Sequence, residues 1–129
     1  MEIVGHGIDV VDLERFAHLL SEEGSDFLSR CFTRAEQAKA EVGNTSRGHE
    51  ILAGKFAAKE AVAKALGSGF DGHIGPLHIE ITNSATGSPT VVLHEAALAL
   101  ADELGVSRWQ LSISHAGPIA IASVLALRC

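Results

Sequence analysis

The stretch FAAKEAVAKALG, residues 56–67, decides the fold of this chain. Alanine, leucine, lysine and glutamate are strong helix formers and Gly67 is a typical helix stop, so the stretch predicts the end of a long helix. Phe56, Glu60 and Lys64 are spaced by four residues and therefore lie along one face of that helix. The alanines between them allow close packing. We therefore expect a packed helix with a charged site along one edge.

The composition is that of one globular domain. The chain has 129 residues, which suits a single domain over residues 1–129 with a modest core. Hydrophobic residues make up 47% and charged residues 20%, so the chain is not of the disordered class. No apolar run approaches the roughly 20 residues that span a bilayer, and residues 1–5 lack the features of a signal peptide. We expect no membrane partner and a cytoplasmic location.

The charge distribution restricts the class of partner. The formal net charge is −6, which argues against a nucleic-acid-binding protein. Eight of the ten basic residues fall between Arg15 and Lys64. Anion binding by the second half of the chain would therefore depend on histidines and backbone amides.

The two cysteines do not indicate a metal site. Cys31 and Cys129 have no metal-ligand spacing, and nothing else in the sequence suggests a secreted, disulfide-bonded protein. We expect Cys31 to be a buried thiol and Cys129 to be an idle terminal residue.

The order of predicted elements indicates an α+β domain, with helices in the first half and hairpins in the second. In chain order the predicted elements are a strand at 2–11, a helix capped by Asp12 and broken at 22–25, a helix from Arg34 after the capping-box sequence Thr33–Glu36, a loop at 43–48, a helix from about Glu50 to Leu66, a flexible glycine-rich loop at 67–75, strands at 78–82 and 90–93, a helix at 95–104 and strands at 109–115 and 119–127.

Two carboxylates are the strongest candidates for chemistry. Asp9 lies in an otherwise apolar strand, where an unpaired charge is costly to bury, although taken alone it could be an exposed or turn-capping residue. Glu60 and Lys64 taken alone fit a surface ion pair between residues four apart. Considered together, Asp9 and Glu60 predict a minimal Mg²⁺–phosphate site, because Mg²⁺ is held by one or two carboxylates, waters and substrate phosphate. Lys64 would then neutralise a leaving phosphate.

The strand end at Ser112, Ser114 and His115 offers a weaker alternative, a nucleophile with its base. There is no Gly-x-Ser-x-Gly elbow, and Ser114 and His115 point to opposite faces of a strand. We therefore expect His115 to donate a hydrogen bond to a phosphate or to pair with a backbone carbonyl. The other histidines have no spacing typical of zinc ligands.

Several motifs, in order along nearly the whole chain, resemble one family. They are Gly5-x-Gly7-Ile8-Asp9-Val10-Val11 with Glu14-Arg15-Phe16, Phe32-Thr33-x-x-Glu36, residues 52–61 continuing through Lys64-Ala65-Leu66-Gly67, Gly87-x-Pro89, and Ser112-Ile113-Ser114-His115. The run from Phe56 to Gly67 is the most specific of them. In these motifs the chain resembles the holo-[acyl-carrier-protein] synthases, the short bacterial form of the 4′-phosphopantetheinyl transferases.

The resemblance implies a transferase of fatty acid biosynthesis. It would move phosphopantetheine from coenzyme A to a serine of apo-acyl carrier protein and release adenosine 3′,5′-bisphosphate. Asp9 and Glu60 would hold Mg²⁺ on the coenzyme A diphosphate. Glu60, or a metal-bound water that it orients, would take the serine proton, and Lys64 would stabilise or protonate the leaving phosphate.

The resemblance also implies the nucleotide contacts and the assembly. Arg47 and His115 would contact the nucleotide, with Lys64, and Gly67 would let the backbone approach it. The family fold has an antiparallel sheet and a long central helix, and its members form homotrimers with sites between subunits. Asp9 and Glu60 would therefore face a neighbouring chain.

The chain departs from the family pattern at three places. Glu22 and Glu23 stand at the end of a first helix that often carries basic residues for the carrier protein. Lys55 stands where arginine is common, and Ala116 where threonine or serine is common. The alternatives are a non-catalytic module that binds coenzyme A or another nucleotide, and a structural oligomer in which Asp9 and Glu60 are solvated.

Overall fold

A computed structural model of the chain describes residues 1–40 and 45–129. It has the expected α+β architecture. The elements are β1 (Glu2–Asp12), α1 (Leu13–Cys31), α2 (Arg34–Lys39), α3 (Ser46–Ala65), a short 3₁₀ helix (Pro76–His78), β2 (Ile79–Asn83), β3 (Pro89–Leu93), α4 (Glu95–Leu104), β4 (Arg108–Ala116) and β5 (Ile119–Arg128).

The central helix α3 is longer than the sequence predicts. It begins at Ser46, because the Thr45 hydroxyl accepts a hydrogen bond from the Gly48 amide at 3.1 Å and caps the first turn. The prediction of a loop over 43–48 is therefore wrong from Ser46 onward, while 43–44 lie outside the described residues. The helix ends as expected, with Gly67 following in the left-handed region at φ 81°.

A three-stranded antiparallel sheet, in the order β1-β5-β4, packs on α3. Gly5 and Gly7 make this contact close: a Cβ on Gly7 would lie 1.8 Å from the Ala61 carbonyl oxygen, and one on Gly5 2.0 Å from that of Ala65. Residues two apart on a strand share a face, so Asp9 continues the face that Gly5 and Gly7 turn toward α3. The glycines thus bring the Asp9 backbone against the helix that carries Glu60 and Lys64.

Helices α1 and α2 have the predicted caps. The Asp12 carboxylate accepts from the Arg15 amide at 2.9 Å, and Thr33 and Glu36 form the capping box of α2. The break expected at 22–25 is a kink within one longer helix, since only Gly24 leaves helical geometry, at φ 54° and ψ −130°. The chain beyond the kink packs Phe27 and the buried Cys31 into a core with Phe16 and Phe32.

The second sheet is the expected hairpin of β2 and β3, which pair antiparallel from Ile79–Leu93 to Asn83–Pro89. Two buried lysines of α3 attach it: Lys55 donates to the Ile81 carbonyl at 2.8 Å, and Lys59 to that of Ile79 at 2.6 Å. Within residues 1–40 and 45–129, no helix combines the length and the apolar character needed to cross a membrane.

Candidate functional site

An open cleft of about 460 Å³, here called the acidic cleft, lies where β1, α1 and α3 meet. Asp9 enters it from β1, Phe56 and Glu60 from α3, and Arg15 and His18 from α1. Its remaining lining residues are Val10, Val11, Asp12, Phe16, Leu19 and Glu22. The structure therefore brings the two predicted metal-ligating carboxylates into one cleft, although they are distant in sequence.

Lys64 binds Asp9, not Glu60. Its Nζ donates to Asp9 Oδ1 and to the Ile8 carbonyl, both at 2.9 Å. The surface ion pair between Glu60 and Lys64, which spacing alone favoured, is absent from the described residues, so that interpretation is wrong. Lys64 pairs with Asp9 because β1 packs closely on α3. This packing places the Ile8 carbonyl and the Asp9 carboxylate beside the last turns of the helix.

Glu60 is a partly buried carboxylate that lacks a direct partner. Among the described residues no hydrogen bond or ion pair reaches it, and its pKa is raised by burial and by the nearby charge of Asp9, against the opposing effect of Lys64. Such a group is short of positive charge in its surroundings. A divalent cation between Asp9 and Glu60 would supply that charge.

The cleft has no metal site made by protein ligands alone. In the described part of the chain, no cluster of three or more histidine, cysteine, aspartate or glutamate side chains could hold an ion. Two carboxylates nevertheless fit Mg²⁺, which keeps several waters and takes further oxygens from a bound phosphate. The donor set is therefore one for a metal that arrives with an anionic ligand.

A second cavity of about 240 Å³, here called the basic cavity, is lined by several basic residues. Lys39, Arg47, Lys55 and His115 line it, and it shares no lining residue with the acidic cleft. His115 Nε2 donates to the Glu50 carbonyl at 2.9 Å, which is one of the two roles expected for it.

Lys55 is less available to a ligand than the sequence suggested. Its side chain is buried and its Nζ already donates to the Ile81 carbonyl. Burial lowers its pKa, which favours the neutral amine more than at an exposed lysine. Arg47, which is exposed, is the more accessible cation of this cavity.

The predicted site residues thus form two groups within one chain. Asp9, Glu60 and Lys64 lie together, whereas Arg47 and His115 lie together at the other cavity. Gly67 lines neither and occupies the turn after α3. Sequence reasoning did not place Arg15, Phe16 and His18 in the acidic cleft, and the helical spacing of α1 was the only available signal that they could share a face.

The chain is similar to proteins of one family along most of its length. The family model of the 4′-phosphopantetheinyl transferase superfamily matches residues 5–122. A holo-[acyl-carrier-protein] synthase of Solidesulfovibrio magneticus is 45% identical over 123 residues, which cover 95% of this chain and 97% of that protein.

Solved structures show the same similarity. The crystal structure of holo-[acyl-carrier-protein] synthase from Neisseria meningitidis has a TM-score of 0.87 at 34% identity, covering 98% of this chain and 100% of that one. The Helicobacter pylori holo-[acyl-carrier-protein] synthase in complex with coenzyme A has a TM-score of 0.80 at 30% identity, covering 95% and 99%.

Proposed function

Because the chain belongs to the 4′-phosphopantetheinyl transferase superfamily, we propose that it moves the 4′-phosphopantetheine group of coenzyme A onto a serine of apo-acyl carrier protein. The product nucleotide is adenosine 3′,5′-bisphosphate, and the reaction supplies holo-carrier for fatty acid biosynthesis. The coenzyme A complex of the Helicobacter pylori relative supports coenzyme A as the donor.

The observation that carries this function is the pair of carboxylates in the acidic cleft. Asp9 and Glu60 face one space, and Glu60 has no direct partner among the described residues. We assign Mg²⁺ to this pair. When bound with coenzyme A, Mg²⁺ would screen the diphosphate charge and make its phosphorus more electrophilic.

The chain's own residues account for proton and charge movement. The serine oxygen forms a bond to the β-phosphorus of coenzyme A, and the bond from that phosphorus to the oxygen of the nucleotide phosphate breaks. Glu60 takes the serine proton, directly or through a water that it orients. Lys64, whose Nζ lies 2.9 Å from Asp9 Oδ1, meets the charge on the departing nucleotide phosphate.

An apolar wall borders these groups. Phe56 lies one turn before Glu60 on α3, with its ring centroid 5.8 Å from that of Phe16, and both rings line the cleft. The wall limits water near the reacting phosphorus, which strengthens electrostatic interactions there and disfavours hydrolysis of coenzyme A.

The basic cavity supplies the nucleotide contacts. We assign Arg47 and His115 to the phosphate and adenosine part of coenzyme A, with Gly67 allowing close backbone approach. Since this cavity shares no lining residue with the acidic cleft, the two would combine across a subunit boundary. A homotrimer with sites between subunits is therefore the assembly we propose.

The outer face of the three-stranded sheet supports that assembly. Ile8 and Val10 point away from α3 and are 49% and 53% exposed. On β5, Ile121 pairs with Val10 and also lies on that face. An apolar face of this kind is expected to be covered by another copy of the chain.

Both cysteines are free thiols, which fits a reducing compartment such as the cytoplasm.

The intact mass of apo-acyl carrier protein tests this function. After incubation with the enzyme, coenzyme A and Mg²⁺, the carrier should gain one phosphopantetheine, and the gain should require Mg²⁺. Glu60→Gln should slow the gain by about 100-fold or more, because it removes the base and a metal ligand. Glu22→Gln, an acidic residue on the same cleft, is the matched control and should keep most of the rate.

Two results would reject the proposal. If coenzyme A binds but no carrier mass changes, the chain is a non-catalytic coenzyme A-binding module. If the carrier is modified at an unchanged rate by Glu60→Gln, the role assigned to the cleft is wrong.

A further inference from the structure

Lys64 occupies the position of a counter-cation for Asp9. Its Nζ contacts one carboxylate oxygen of Asp9 and the carbonyl oxygen of the preceding residue, Ile8, each at 2.9 Å. Glu60 lies one turn earlier on the same helix and is not contacted. In the described chain, the ammonium is thus the one cation directly bound to either of the two carboxylates.

This ammonium and a divalent cation would compete for Asp9. Two positive charges held on one carboxylate repel each other, and a double charge on one of them increases that repulsion. A stable state with both cations on the Asp9 carboxylate is therefore disfavoured. One has to leave when the other binds.

We propose that Lys64 is an exchangeable occupant of the cation site: it neutralises Asp9 in the free protein and is displaced when a divalent cation binds. The displacement frees its ammonium for the diphosphate side of the cleft. This inference rests on the proposed function, and it adds that Lys64 lowers the metal affinity of the free protein.

The surroundings of Lys64 allow it to move, unlike those of the other lysines of α3. Its side chain is 51% exposed, while that of Asp9 is 18% exposed. Lys59 is fully buried with three oxygen partners, and Lys55 is held at the Ile81 carbonyl. Lys64 lies in the last turn of the helix, where water can replace both of its contacts when the side chain rotates away.

The simpler alternative is that Lys64 is a strut that fixes β1 to the end of α3. A strut would remain on Asp9 when metal binds, and its removal would change stability but not metal affinity. Reciprocity separates the two roles: if metal binding displaces Lys64, the absence of Lys64 must strengthen metal binding by the same free energy.

The test is the affinity of Mn²⁺ for the protein without coenzyme A, measured by electron paramagnetic resonance of free Mn²⁺. Lys64→Met should bind Mn²⁺ about three- to tenfold more tightly than wild type, the range expected for losing competition with a partly exposed ion pair. Lys64→Arg, which keeps a cation able to pair with Asp9, should bind with nearly wild-type affinity.

Arg108→Gln is the matched control for loss of one positive charge. Arg108 is exposed at the start of β4, and among the described residues no hydrogen bond or ion pair is made by its side chain. The Arg108→Gln substitution should change the Mn²⁺ affinity by less than about twofold, since distant exposed charges are screened at physiological salt.

The outcomes separate this inference from the proposed function. If Lys64→Met and Arg108→Gln shift the affinity equally, the direct competition is refuted while the metal site stands. If neither wild type nor Lys64→Met binds Mn²⁺ without coenzyme A, the inference fails, while the proposed metal pair, which takes further oxygens from a bound phosphate, stands or falls by the Mg²⁺ dependence of carrier modification. A crystal structure with Mn²⁺ alone that still shows Lys64 on Asp9 would also overturn it.

Discussion

At the scale of single residues, Glu60 combines the properties needed of a base and of a metal ligand. It is partly buried beside Asp9, which raises its pKa, and its helical neighbour Lys64 binds Asp9 instead. The ionised form of Glu60 therefore lowers the free energy of unfolding. Residues arranged for function often destabilise the fold in this way.

Glu60→Gln should stabilise the protein while inactivating it. A raised carboxylate pKa means that the folded state binds a proton more readily than the unfolded state, so this residue contributes less stability as pH rises through the window above the ordinary glutamate pKa. We expect the variant to gain about 0.5–1 kcal/mol of unfolding free energy near pH 8, and the gain to vanish in acid, where wild-type Glu60 is protonated.

Urea denaturation at several pH values checks this, without added metal. Glu103→Gln, an exposed position on α4, is the control and should show no comparable gain. A Glu60→Gln variant that is less stable than wild type near pH 8 would show that Glu60 has a stabilising partner in the protein.

The two carboxylates could be predicted from the sequence, but the partner of Lys64 could not. The spacing of Glu60 and Lys64 follows a helix rule that considers one element alone. The actual partner depends on how closely β1 approaches α3, which Gly5 and Gly7 determine. Glycines inside a strand signal a close backbone approach, without identifying what approaches.

At the scale of elements, one buried ion pair joins α2, α3 and the β2–β3 hairpin. Lys59 and Glu36 are 0% and 1% exposed, with Nζ and Oε1 2.8 Å apart. Glu36 also accepts from the Ile81 amide at 2.7 Å, and Lys59 donates to the carbonyls of Pro76 and Ile79. Every polar atom of the pair is thus satisfied, which is the condition for tolerating buried charge.

Lys59→Met should destabilise the fold by about 3–5 kcal/mol, because it leaves Glu36 buried without its cation. Urea denaturation followed by circular dichroism gives the change in unfolding free energy. The exposed Lys39, on α2, is the control, and Lys39→Met should stay within about 0.5 kcal/mol of wild type. A loss below about 1 kcal/mol for Lys59→Met would mean that Glu36 does not depend on this pair.

Element types were predictable and several boundaries were not. The Thr33–Glu36 capping box fixed the start of α2 correctly, because the motif is local. The start of α3 was missed by four residues, since the capping Thr45 lies in a run of polar residues that resembles a loop. Gly24 kinks α1 without ending it, because the chain beyond the kink is held by the Phe27 and Cys31 contacts of the core.

At the scale of the whole molecule, the proposed site is divided. Acidic and basic cavities lie apart in one chain, and the sheet exposes Ile8 and Val10 to an expected neighbour. The α+β class followed from the order of elements alone. The separation of Asp9 and Glu60 from Arg47 and His115 into two cavities did not follow from the sequence, because it depends on how the elements pack.

Subunit complementation tests the division. Glu60→Gln and Arg47→Ala should each be inactive as pure proteins. If each site takes its acidic half from one chain and its basic half from the next, mixed trimers formed after unfolding and refolding together should regain activity in about one quarter of sites. Sites contained in one chain would regain none, and carrier modification by the mixture measures the difference.

The most direct test of the central claim is a crystal structure with coenzyme A and Mn²⁺, read from the anomalous signal of the metal. We predict one Mn²⁺ peak within about 2.3 Å of both an Asp9 and a Glu60 oxygen and in contact with the coenzyme A diphosphate. A diphosphate bound elsewhere, with no metal peak between Asp9 and Glu60, would contradict it.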